Sequence, residues 1–98
     1  MSNLFVVHYS HGSSWEADKP FFEQNLLEHG NYMKRLYDKG HLTDGGPFTD
    51  DTGGLSIFRA ESIEEAQKLL AADPAIIKGV FQATIHPWFS VDWETYGT

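Results

Sequence analysis

The sequence contains no cysteine, so neither disulfide bonds nor thiolate chemistry is available to it. Long hydrophobic runs are also missing, and the longest uninterrupted ones, such as residues 4–7, are far too short to span a bilayer. No signal-like segment is present. These absences predict a cytoplasmic protein, and 98 residues suffice for one small domain with a single hydrophobic core.

Positive charge is scarce as well. Fourteen acidic residues oppose seven lysines and arginines, which gives a formal net charge of −7, and the basic residues are spread along the chain without forming a stripe. Phosphate backbones and anionic lipids would repel such a surface, so the composition argues against nucleic-acid and membrane partners. A small molecule or a second copy of the chain is the expected partner.

Apolar and turn-forming residues alternate in a way that predicts the element order β-α-β-β-α-β. This order is typical of a split βαβ fold, an antiparallel four-stranded sheet with both helices on one face. Ser62 followed by Glu65 is a capping-box pattern and marks the start of the second helix. The predicted strands are residues 4–9, 41–44, 53–60 and 79–87, and the predicted helices are residues 20–40 and 63–72.

Two titratable side chains are predicted to face the same interior. In the first helix, His29 lies within an apolar stripe that repeats every three or four residues, and in the second an apolar run ends at Asp73. A carboxylate beside an imidazole fixes its tautomer and stabilises the imidazolium, so this combination is common in proton transfer. The stripe is Phe22, Leu26, His29, Met33 and Leu36, and the run is Ile63, Ala66, Leu70 and Asp73.

Both residues also have plainer interpretations. A histidine on an apolar stripe is at least as often a hydrogen-bonded core residue as a reactive one. The Asp73-Pro74 step, followed by Gly79, is typical of the N-cap and first residue of a short helical turn. The sequence pattern alone leaves these alternatives open.

The remaining histidines, which include His8 at the end of the first strand, show no metal-binding pattern. No H-x-x-x-H or H-E-x-x-H spacing occurs, so the sequence predicts no metal site.

The uncovered face of the sheet predicts a homodimer. Aromatic and β-branched residues occur on both faces of the strands, and exposing one face would leave a large apolar patch. Face-to-face pairing of two sheets would cover it. Residues 89–98 form an aromatic C-terminal tail, which we expect to pack on the partner subunit.

The order of motifs along the chain resembles that of the YCII-related (YciI-like) domain family. The segments that carry the resemblance run from the first strand through Phe89, so it spans nearly the whole chain and predicts one YCII-like domain over residues 1–98. The loop of residues 10–17 and the tail after Phe89 do not match the family pattern. The matching segments are the first strand, residues 29–36, the turn from Gly40 to Pro47, residues 53–55, residues 72–79 and residues 85–89.

The resemblance implies a ferredoxin-like, dimeric α+β barrel in which a helix histidine and the aspartate of the Asp-Pro step form a catalytic pair. These residues are His29 and Asp73 here. The better understood members resemble lyases that act on chlorinated hydroxyquinols without a metal or cofactor. We therefore expect a cofactor-independent small-molecule enzyme whose pocket lies near Gly46 and Pro47 and is lined by His8, Tyr32 and Trp88.

Two other functions fit the same residues. A dimeric domain that binds or senses a small ligand without transforming it would need the same pocket. A purely structural oligomerisation module would instead have a filled interior, with no cavity at His29.

Overall fold

Four strands form one antiparallel sheet in the computed structural model, which describes residues 3–98. The sheet order is β2-β3-β1-β4, and helices connect β1 to β2 and β3 to β4. This is the predicted ferredoxin-like α+β fold. The strands are β1 (Asn3–His11), β2 (Leu42–Pro47), β3 (Gly54–Ala60) and β4 (Phe81–Trp88), and the helices are α1 (Leu27–Asp38), α2 (Ile63–Ala71) and α3 (Pro74–Ile77).

Strict alternation along the central strand β1 sets the inner face of the sheet. Phe5, Val7 and Tyr9 are buried because every second side chain points to the same face. In the register with β3, Phe5 lies opposite Phe58, which is fully buried. Helices cover this face and add Leu36, Ala66 and Leu70 to the core.

The outer face of the sheet is less apolar than the sequence predicts. The phenylalanines and the tyrosine of the strands, Phe5, Tyr9, Phe58 and Phe81, all point inward and are buried. The outer face instead mixes half-buried aliphatic side chains and the exposed Trp88 with exposed polar side chains. The aliphatic ones are Leu4, Val6, Leu55 and Ile57, and the exposed polar ones include His8, Gln82, Thr84 and His86.

The prediction of one continuous helix over residues 20–40 is wrong. Residues Phe21–Glu23 form a single 3-10 turn, the chain then extends at Gln24, and α1 starts only at Leu27. This break puts Phe22 out of phase with the apolar stripe, and its side chain is 84% exposed. Among residues 3–98, no helix has the length and apolar character that crossing a membrane requires.

Strand β2 is longer than predicted because it continues through Gly45, Gly46 and Pro47. Proline is tolerated there because β2 is an edge strand, whose outward-facing groups need no ladder partner. The glycine at position 45 is a packing requirement, since a Cβ atom there would lie 2.9 Å from the Ser56 Oγ atom. Gly46 and Pro47 therefore belong to the sheet and not to a turn after it.

The predicted start of the second helix is confirmed. Ser62 Oγ accepts a hydrogen bond from the Glu65 backbone N–H at 3.1 Å, which satisfies one of the free donors of the first turn of α2. The Glu65 carboxylate in turn accepts from the Glu61 N–H at 3.0 Å. From this start α2 runs to Ala71, and Asp73 follows two residues later.

Candidate functional site

Asp73 occupies the junction between two helices. Its backbone N–H donates to the Leu70 carbonyl at the end of α2, and its side chain accepts from the Ala75 N–H at 2.9 Å as the N-cap of α3. Pro74 takes the first helical position, where a missing N–H costs nothing. The carboxylate is completely buried. The plainer interpretation of Asp73 as a helix cap is therefore correct. The cap hydrogen bond to Ala75 occupies only part of the accepting capacity of the carboxylate.

The rest of the Asp73 carboxylate binds His29. The Nδ1 atom of His29 lies 2.7 Å from Oδ2 and 2.9 Å from Oδ1 of Asp73. Because a carboxylate can only accept, Nδ1 carries the proton and donates it to this bond. In the neutral imidazole the lone pair is then on Nε2, at the opposite edge of the ring.

Two aromatic rings hold the imidazole in place. Tyr9 and Phe81 each approach it edge to face, with ring centroids 5.7 Å and 5.5 Å away. Such T-shaped contacts are favourable and fix the plane of the ring. The His29 side chain keeps 14% of its surface exposed, whereas Asp73 keeps none. The imidazole therefore lies between a buried carboxylate and open space.

That open space is a cavity of about 260 Å³ between α1, the 3-10 turn and the strands β2 and β3. Its wall is mainly apolar, and the polar side chains that reach it are those of His29 and Ser56. A pocket of this kind suits a small molecule with a few polar groups. Its lining consists of Phe21, Leu26, His29, Gly30, Met33, Leu42, Gly45, Gly46, Pro47, Gly54, Ser56 and Phe81.

Two tyrosine hydroxyls lie close to the pair but are engaged elsewhere. Tyr32 donates to the Leu69 carbonyl at 2.5 Å, and the Tyr9 hydroxyl points to the Met33 sulfur at 3.9 Å. Burial raises the pKa of both phenols, and the nearby Asp73 charge raises their pKa further. Both hydroxyls therefore remain protonated at neutral pH.

The buried Tyr9 predicts a loss of stability in alkali. A phenol whose pKa is higher in the folded state than its unfolded value of about 10 binds its proton more tightly when folded. Its contribution is thus complete below about pH 10 and declines as the pH rises further, by at most about 1.4 kcal/mol per pH unit. Urea unfolding at pH 9 and pH 11 should show this slope, and Tyr9→Phe should flatten it. An equally steep slope in Tyr9→Phe would contradict the assignment.

Of the five predicted pocket residues, the structure places two in the cavity wall, Gly46 and Pro47. His8 lies on the outer face, where its ring contacts Phe48, because the inward direction of Tyr9 forces its neighbour outward. Trp88 pairs with Leu4 at the far end of β4, away from the cavity residue Phe81. Tyr32 does not line the cavity, and its hydroxyl donates to the Leu69 carbonyl.

The outer wall of the cavity depends on a residue that carries no sequence signal. Gln24 is almost completely buried and makes three hydrogen bonds, to the Glu16 N–H and carbonyl and to the Lys19 carbonyl, at 2.8 to 2.9 Å. The Asp51 carboxylate also accepts from the Phe21 N–H at 3.0 Å. These bonds fix the segment that presents Phe21 and Leu26 to the cavity.

The fold and this geometry define a class: a ferredoxin-like α+β domain with a histidine and a buried aspartate beside a small apolar cavity. Within that class the chain belongs to the YCII-related domain family, whose family model matches residues 5–88. Among residues 3–98, no three His, Cys, Asp or Glu side chains are grouped in a way that could hold a metal ion.

Known proteins that are similar to the chain include a bacterial relative and an enzyme of solved structure. The uncharacterized protein YjpA of Bacillus subtilis (strain 168) is 35% identical over 68 residues, which cover 69% of this chain and 80% of YjpA. The solved structure of 5-chloro-2-hydroxyhydroquinone dehydrochlorinase (TftG) from Burkholderia phenoliruptrix AC1100, in complex with 2,5-dihydroxybenzoquinone, superimposes with a TM-score of 0.65. That match is 25% identical in sequence and covers 90% of this chain and 95% of TftG.

Proposed function

We propose that this protein is a small-molecule enzyme of the lyase type, in which His29 transfers a proton and Asp73 orients and stabilises it. The observation that carries the proposal is the hydrogen bond of 2.7 Å between His29 Nδ1 and Asp73, beside a cavity that His29 itself lines. The similarity to a dehydrochlorinase supports the same reaction class.

The pair suits general base catalysis. With Nδ1 donating to Asp73, Nε2 is free to accept a proton from a molecule in the cavity, and the imidazolium that results has a carboxylate at its other edge. In a dehydrochlorination, the substrate loses a proton to Nε2 while chloride leaves carbon with the bonding electron pair. The proton and chloride together account for the HCl that is lost.

The cavity wall supports a small, flat substrate. Phe21 and Phe81 contribute aromatic rings, with centroids 5.9 Å apart, and the Ser56 hydroxyl offers a polar contact. The glycines of the wall on β2 and β3 add no side-chain bulk. A single ring with a few hydroxyl or halogen substituents matches this combination.

The direct experiment is to incubate the protein with 5-chloro-2-hydroxyhydroquinone and with a panel of other halogenated and hydroxylated aromatics. Chloride release is measured by an ion-selective electrode and the change in the ring by absorbance. The proposal predicts chloride release above the uncatalysed rate for at least one compound. Saturable binding with no release across the panel would instead favour the non-catalytic binding or sensing domain.

We also propose that the chain forms a homodimer through the outer face of its sheet and the aromatic tail. The half-buried Val6, Leu55 and Ile57 lie side by side at the centre of this face. Residues 89–98 expose several large side chains to solvent. The exposed fractions of Phe89, Trp93 and Tyr96 are 82%, 71% and 68%. Exposed apolar surface of this extent is typical of an interaction site.

A charge on the central outer face should separate the subunits. Ile57→Asp would bury an unpaired carboxylate in the proposed interface, which is strongly unfavourable. Sedimentation velocity should show a species of twice 11.1 kDa for the parent chain and a species near 11.1 kDa for Ile57→Asp. Gln67→Glu adds a charge on the exposed side of α2 and should leave the dimer intact. A monomeric parent chain would refute the proposed dimer.

A further inference from the structure

One position on the cavity side of α1 lacks a side chain. Leu26, the N-cap of α1, is followed at intervals of four and three residues by Gly30 and Met33, so the three lie on one side of the helix. All three line the cavity, but only Leu26 and Met33 fill space there. Gly30 is also exposed, which places it where the cavity opens to solvent. His29, the adjacent residue, lines the same cavity.

Nothing in the chain itself requires glycine at position 30. Its backbone is helical, and it is not among the glycines with positive φ. A Cβ atom built on Gly30 would meet no heavy atom within 4 Å. Glycine weakens a helix relative to alanine, so the position has a cost that neither packing nor backbone conformation explains.

Two of the three other glycines of the cavity wall, Gly45 and Gly54, differ in this respect, whereas a Cβ atom on Gly46, in the edge strand β2, would also meet no heavy atom within 4 Å. A Cβ atom on Gly45 would lie 2.9 Å from the Ser56 Oγ atom, and one on Gly54 would lie 2.8 Å from the Gly46 carbonyl oxygen. Those two positions need glycine for packing within the sheet. Gly30 faces open space, so its lack of a side chain affects only what enters that space.

We propose that Gly30 keeps the passage to His29 Nε2 open and thereby determines the size of molecule that reaches the imidazole. This inference rests on the proposed function in assuming that a ligand occupies the cavity. A flat, single-ring molecule can lie against the bare helix backbone at Gly30, whereas a side chain there would occupy the same space. Glycine at this position therefore lowers the stability of the helix but leaves the His29 imidazole accessible to a ligand. Such a compromise is common at functional sites.

The test compares Gly30→Ala and Gly30→Leu with the parent chain. Asn31→Ala, an exposed change at the next position of α1, is the matched control because it improves helix propensity without lining the cavity. The first measurement is the rate at which diethyl pyrocarbonate acylates His29, followed by peptide mass spectrometry. We expect the rate to fall at least tenfold in Gly30→Leu, less in Gly30→Ala, and not at all in Asn31→Ala.

Stability and ligand binding complete the test. Gly30→Ala should raise Tm by about 3 to 6 °C through helix propensity. If the parent chain binds 2,5-dihydroxybenzoquinone, the affinity should fall at least tenfold in Gly30→Leu. Unchanged acylation of His29 in a folded Gly30→Leu variant, or failure of that variant to fold, would overturn the inference. A parent chain that neither binds nor transforms any of the aromatics would count against the proposed function, while the acylation rates would still decide the role of Gly30.

Discussion

Replacing His29 with glutamine is expected to reduce kcat by about 10² to 10⁴-fold, the usual contribution of a general acid or base. Glutamine can still donate a hydrogen bond to Asp73, but it offers no lone pair that can take a proton at neutral pH. Binding of 2,5-dihydroxybenzoquinone should change by only a few fold, because the cavity wall remains. Steady-state kinetics on whichever aromatic the parent chain turns over, with binding measured by calorimetry, separates the two effects.

A second histidine variant provides the control. His41 hydrogen-bonds the Arg59 carbonyl through Nδ1 at 3.0 Å and does not line the cavity, so His41→Gln should leave kcat and binding unchanged. Full activity in His29→Gln would show that another group transfers the proton. Loss of binding without loss of kcat would assign His29 a role in holding the ligand only.

Replacing Asp73 with alanine is expected to cause the largest loss of stability of any change considered. It removes the N-cap acceptor of α3, worth about 1 kcal/mol, and leaves the buried edge of His29 without its charged partner. Hydrogen bonds to charged groups contribute about 1.5 to 3 kcal/mol, so the total should reach about 2.5 to 4 kcal/mol. Urea unfolding measures this free energy directly.

Two further variants separate the structural part of this effect from the chemical part. Ser62→Ala removes the N-cap of α2 and touches nothing at the site, so it should cost about 1 kcal/mol and leave turnover intact. Asp73→Asn keeps an oxygen that can accept from the Ala75 and His29 N–H groups, but it cannot stabilise an imidazolium by charge. We expect Asp73→Asn to fold and to lose most of its turnover. If Asp73→Asn folds and retains full turnover, Asp73 is a structural cap alone.

Local sequence signals predicted the parts of the fold that depend on local chemistry. The Ser62 and Glu65 pattern placed the start of α2 correctly because a cap is satisfied within one turn of the chain. The Asp73-Pro74 step predicted α3 for the same reason. The apolar stripe and the family resemblance predicted that His29 and Asp73 face the same interior. Their side chains lie within hydrogen-bonding distance there.

The features that the sequence did not predict depend on contacts and directions that no repeating pattern in the sequence reveals. The break before α1 follows from Gln24, whose hydrogen bonds to residues 16 and 19 no periodicity reveals. The extension of β2 through Pro47 depends on its place at the sheet edge, which only the strand order defines. His8 was expected in the pocket, but alternation along β1 directs its side chain to the outer face, opposite to that of Tyr9.

The most direct test of the central claim is to record the imidazole nitrogen resonances of His29 by ¹⁵N NMR, with and without 2,5-dihydroxybenzoquinone. We expect Nδ1 to carry the proton in the free protein, as its bond to Asp73 requires, and the compound to shift the Nε2 resonance while Nδ1 stays bonded. A His29 signal that does not move while the compound binds elsewhere, or a proton found on Nε2 with Nδ1 unprotonated, would contradict the account.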